Sequence, residues 1–152
     1  METPPAIDLD TLRGFFALAP YIVDLGVEPV ACDAGTVTTV LAIAPRHLQH
    51  TGQVHAGVSG AMADHTMGAA AQTLAPVGCW ALTVELKTSL LRAAVGERLI
   101  CEARVLKAGR QFSFTEAEVY AEREGRRTLV VKASATMAIV ARNSSTSNPS
   151  SP

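Results

Sequence analysis

Asp64 stands inside Gly57 to Leu74, a proline-free run rich in Ala and Met. An acid in such surroundings is costly unless it is paired, hydrogen-bonded or exposed, because desolvation penalises its charged form. Read as a helix, the run surrounds Asp64 at i−7, i−4, i−3, i+4 and i+7 with Gly57, Gly60, Ala61, Gly68 and Ala71. A helical glycine costs about 1 kcal/mol relative to alanine, so three on one stripe imply a face kept clear for close approach. Asp64 projecting into that face could take a proton or attack a carbonyl; the plainer role is a cap or a pair with a neighbouring strand. The helix start at Ala56-Gly57 offers free N–H groups that, with the helix dipole, can hold a developing oxyanion. Together these are parts for acyl transfer. Ala56 and Asp64 are nevertheless about 12 Å apart along the axis, too far for one reacting carbon. Two subunits, or a fold in the chain, must bring them together.

The other chemically capable residues are less organised. His55 directly precedes the helix start and suits a loop-orienting hydrogen bond better than catalysis. His47, His50 and His65 share no face with ligand spacing, and no metal is expected. Cys32, Cys79 and Cys101 are odd in number and form no C-x-x-C pair, which fits reduced thiols and a cytoplasmic setting rather than a disulfide framework. Arg110 follows Gly109 in a hairpin turn, where a charged residue is ordinarily solvated.

The elements that must position these residues can be read in order. Asp8 to Leu18 reads as a short helix capped by Asp8 or Asp10 and stopped by Pro20. Val27–Cys32 and Thr36–Ala44 are β-rich runs joined by Asp33-Ala34-Gly35, a hairpin signal. Residues 45–53 form a polar loop before the main helix, which Pro76 and Gly78 end. Four alternating strands follow over 80–91, 98–107, 111–122 and 128–140, the last three a meander. One long helix against one antiparallel sheet is an α+β architecture, with the sheet expected to wrap the helix and a short N-terminal helix added. Residues 1–142 form one domain, and the Ser, Thr, Asn and Pro of 143–152 read as a disordered tail.

Composition narrows the function classes. A chain 48% hydrophobic and 18% charged is globular. Its net charge of −1, with basic residues scattered, excludes a nucleic-acid footprint, though local Arg and Lys could still hold an acidic ligand. The uncharged stretch from Thr66 to Val84 is interrupted by Gln72, Pro76 and Gly78 and is no membrane span.

The pattern Gln49-x6-Ala56-Gly57-x6-Asp64, with His55 before the turn, resembles the hotdog thioesterases of the phenylacetate-degradation (PaaI-like) group. The resemblance extends over roughly 27–141 and includes the strand order. It implies a hotdog fold, a central helix in a curled antiparallel sheet, with dimers pairing their sheets edge to edge and often forming tetramers. It implies that Gln49 positions water or thioester, that the Ala56 N–H receives the oxyanion, and that Asp64, from the opposite subunit, is general base or nucleophile. Thr83 matches a Ser or Thr that assists the carboxylate, Gly57 and His55 complete the substrate-binding turn, and Arg110 matches a position near the coenzyme A phosphates.

The implied activity is hydrolysis of a medium-chain or aromatic acyl-CoA, with no cofactor beyond the CoA of the substrate. Its pocket is expected near Met62, Met67 and the N-terminal helix. The family commonly reads His-Gly-Gly where this chain has His55-Ala56-Gly57; a backbone donor survives that change wherever φ is negative. The rival readings are a non-catalytic acyl-CoA-binding hotdog protein and a hotdog hydratase or dehydratase. The latter needs a His–carboxylate pair in its own motif, which this sequence lacks.

Overall fold

The structure, a computed structural model, describes residues 6–143. All but Asn143 of the expected tail lies outside them. Asp8 accepts the Thr11 N–H at 2.8 Å and starts helix α1, Leu9–Ala17. Pro20 does more than end that helix. It opens a second one, α2, Pro20–Leu25, which the sequence reading missed. Proline is well suited to the first helical turn, where no backbone N–H is required, and Gly26 closes α2 at φ 81°.

The hairpin follows as β1, Val27–Asp33, and β2, Thr36–Ala42. Helix α3 runs Ala56–Gln72, and β3 spans Cys79–Leu90, β4 Arg98–Ala108, β5 Phe112–Arg123 and β6 Arg126–Ala141. The six strands make one sheet in the order β1-β2-β4-β5-β6-β3, every neighbouring pair antiparallel. Helix α3 packs against β2, β3, β4, β5 and β6, so the sheet curls around it as a hotdog fold requires.

Alternation along the strands sorts the two sheet faces. Leu99, Cys101 and Ala103 on β4, and Ala117, Val119 and Ala121 on β5, are buried toward α3. The opposite face carries Arg98, Arg104, Arg127 and Lys132 paired with Glu102, Glu116, Glu118 and Glu122. These pairs are largely exposed, so each adds at most about 1 kcal/mol and serves mainly to keep that face wet. The core is apolar around α3 nearly all the way round, with Met62, Ala63, Met67 and Ala70 fully buried. One polar pin crosses it. Thr66 donates to the Met62 carbonyl at 2.6 Å and therefore receives the Thr39 hydroxyl at 2.7 Å, tying α3 to β2.

Gly96, between β3 and β4, sits at φ 155°, and a Cβ there would fall 2.2 Å from the Glu122 carbonyl oxygen. That oxygen also accepts the Glu97 N–H at 2.9 Å, so the close approach starts β4 in register. Gly96→Ala is expected to destabilise the protein by about 1–3 kcal/mol in urea unfolding, as overpacking does.

The sheet has two outer edges of different character. Edge strand β1 contains Pro29 beside a register shift, which spoils it as a template for further pairing. Edge strand β3 has no proline and is twelve residues long. Leu82, Val84, Leu86 and Leu90 along it are all exposed.

Candidate active site

Asp64 is half-buried on α3, and Thr83 Oγ1 on β3 donates to its Oδ1 at 2.7 Å. The same hydroxyl lies 3.3 Å from the Met137 sulfur, which holds it from behind. The sequence reading therefore chose a residue that does meet the acid.

Asp64 and Thr83 stand at one end of a cleft of about 280 Å³ walled by α1, α3 and β3. Gly68 leaves it open, since a Cβ there would meet no neighbouring atom within 4 Å. The same holds for Gly60, so these two glycines of the stripe face space, whereas Ala71 is buried in the core. Met62 and Met67 are themselves fully buried against the sheet, and the residues near them that line the cleft are Asp64, His65, Gly68 and Ala69. The N-terminal helix does line it, through Leu12, Phe15 and Phe16.

His65, next to Asp64, lies edge-on to Phe16 with ring centroids 4.5 Å apart. Burial pulls its pKa below the usual histidine value, against the opposing influence of Asp64. A neutral imidazole suits this apolar wall.

The helix start is built by two histidines. His47 is buried; its Nδ1 accepts the Ala44 N–H at 2.9 Å and its Nε2 donates to the Leu25 carbonyl at 2.8 Å, fixing the tautomer and tying the loop to α2. The His47 carbonyl then receives the His55 N–H at 2.9 Å. His55 is the N-cap of α3, its Nδ1 accepting the Gly57 N–H at 2.8 Å. A side chain on Gly57 would come within 3.0 Å of that nitrogen, so glycine leaves room for the cap. Gly57 has thus committed its N–H within the chain. The Ala56 N–H bonds to no described acceptor and, at the first helical position, is the open donor.

Gln49 and Ala56 line a second cavity of about 360 Å³, bounded by Ser59, Leu90, Leu91 and Arg92 among others. Gln49 there donates through Nε2 to Thr51 Oγ1 at 2.8 Å. This cavity shares no lining residue with the Asp64 cleft. The axial separation read from the sequence is therefore real: Asp64 and Ala56 line separate cavities at opposite ends of β3. Arg92, exposed beside the second cavity, is a cation that the sequence reading passed over. Arg110 is exposed at the β4–β5 turn, outside both cavities and without an ion pair among the described residues. His50 is exposed in the 49–53 turn. The three cysteines are free, and burial pushes the Cys101 thiol up to about 12. No helix among the described residues is long and apolar enough to cross a membrane.

Residues 51–128 match the family model of the thioesterase superfamily. The chain belongs to the thioesterase superfamily. Solved structures agree. A thioesterase family protein from Silicibacter pomeroyi is 31% identical with TM-score 0.83, over 86% of this chain and 96% of that one. A conserved protein of Pseudomonas aeruginosa is 32% identical, TM-score 0.73, over 80% and 94%. A phenylacetic acid degradation-related protein from Ralstonia eutropha is 29% identical, TM-score 0.73, over 85% and 96%. No curated protein matches the chain. Membership points to thioester hydrolysis, a chemistry that needs a base or nucleophile and an oxyanion donor, and few other titratable groups.

Proposed function

We propose that this thioesterase-superfamily member is a PaaI-like acyl-CoA thioesterase, acting in the cytoplasm as a dimer or tetramer. It hydrolyses a medium-chain or aromatic acyl-CoA to the free acid and CoA. The observation that carries the reading is Asp64 held by Thr83 at the end of an apolar cleft. With Oδ1 engaged, Oδ2 is left to act. Asp64 takes a proton from water as the oxygen adds to the thioester carbon, or attacks that carbon itself to give an anhydride that water opens. The negative charge gathers on the carbonyl oxygen against the Ala56 N–H, and Gln49 aligns the reactants. In both routes collapse of the tetrahedral adduct breaks the C–S bond, in the second route to form the anhydride before water opens it. The CoA thiolate, a good leaving group, takes its proton from Asp64 in the first route and from water in the second, with no strong acid needed.

The long, proline-free and exposed edge of β3 supports a composite site, in which two β3 strands pair about a twofold axis. Antiparallel pairing sets the start of one strand against the end of the other. Centred at Leu86, it puts Glu85 opposite Lys87 of the partner subunit, a favourable cross-strand charge pair. The Asp64–Thr83 end of one subunit then faces Ser89 of the partner subunit, next to the strand end that borders the cavity of Gln49 and Ala56. Arg92 at that mouth is better placed than Arg110 to meet CoA phosphates.

Purified protein tested on a panel of acyl-CoAs, with released thiol detected, is expected to turn over at least one medium-chain or aryl thioester. Tight binding with no thiol release would replace this reading with the non-catalytic one.

A further inference from the structure

The cleft has a definite far end. Asp64, Gly68 and Gln72 recur every fourth residue of α3, so the groove beside β3 runs about 12 Å from the acid to Gln72. There it is closed. Gln72 donates through Nε2 to the Cys79 carbonyl at 3.0 Å and accepts the Ala81 N–H on Oε1 at 3.0 Å, so its side chain occupies the edge of β3 as a neighbouring strand would. Trp80, between those two residues, meets Phe15 of α1 edge-on at 5.9 Å, and the Arg142 guanidinium stacks 3.7 Å from the indole. Three elements distant in sequence thus brace one aromatic wall. At about 280 Å³ the cleft is roughly twice an apolar cavity of ~150 Å³ that takes a benzene-sized guest.

We infer that the Trp80–Phe15 wall is the length stop for the acyl group, and that Gly68 provides the bore leading to it. The acyl chain enters beside Asp64, passes Gly68 and ends against the indole. This rests on the assignment of the Asp64 cleft to the acyl group, and the specificity it predicts belongs to this chain's own aromatic pair. Removing the indole should admit longer chains; filling the bore at Gly68 should admit only shorter ones. Gly68→Leu is sterically open at Cβ and replaces a poor helix former, so it should fold even where Trp80→Ala is fragile.

The test measures kcat/KM for straight-chain acyl-CoAs of graded length and, in parallel, calorimetric binding of matching non-hydrolysable S-alkyl-CoA thioethers. Ratios between long and short members are independent of how much protein is active. Trp80→Ala should raise the long-to-short ratio about tenfold and Gly68→Leu should lower it about tenfold. Unchanged ratios in both variants, or shifts in the same direction, overturn the inference. Graded thioether binding without any wild-type turnover would instead reject the hydrolase reading while leaving the length stop standing.

Discussion

Asp64→Asn should lower kcat for thioester hydrolysis about a thousandfold, equivalent to ~4 kcal/mol, while binding of an S-alkyl-CoA thioether stays within a few fold. The substitution is nearly isosteric. An amide oxygen at the Oδ1 position still accepts the Thr83 hydroxyl, so the side chain keeps its place at the end of the cleft. What it loses is basicity and nucleophilicity, and it loses both at once, so the expected result holds for either form of the mechanism. Half-burial and a retained hydrogen bond argue against a fold effect, which a melting curve would verify. Wild-type turnover by this variant would remove Asp64 from the chemistry and make its contact with Thr83 a structural tie between α3 and β3.

Asp64 could be found in the sequence because helices and strands impose periods on polar residues. A single acid in a run of Ala, Gly and Met has few explanations; Thr83 was reached only through the family resemblance, which places a Ser or Thr on the strand after the helix. The meander β4-β5-β6 was legible for the same reason: inward Ala, Val and Cys alternate with outward Glu, Arg and Lys. Period fails where a helix is apolar on every side. Met62 and Met67 looked as suitable for a pocket as Gly68, and only the sheet's position shows that the methionines fill the core while the glycine faces open space. Local rules also misled at Pro20, since proline ends one helix and begins another equally well.

The far wall was least legible. Phe15, Gln72, Trp80 and Arg142 each have an ordinary local setting, and their meeting depends on α1 lying over the groove, which no local pattern specifies. Arg92 was hidden in the same way. It follows the uncharged end of β3 and acquires meaning only from the cavity beside Gln49 and Ala56.

Ala56→Pro should lower kcat by about 10²–10³, the loss typical of one oxyanion donor, with the fold intact. Proline is tolerated at the first helical position, and His55 before it already has φ −61° and ψ 138°, the extended conformation a following proline requires. The substitution therefore deletes one N–H and little else. Its larger use is in combination. If the site is composite, Ala56→Pro and Asp64→Asn cripple different subunits' contributions to each site. A mixed dimer then keeps one complete site, made from Ala56 of the Asp64→Asn subunit and Asp64 of the Ala56→Pro subunit. Random assembly of equal amounts, by co-expression or joint refolding, should recover about a quarter of wild-type activity from two nearly inactive proteins. A site contained within one chain predicts no recovery at all, because each subunit would carry its own defect. The separation of the two cavities along β3 makes recovery the expected result.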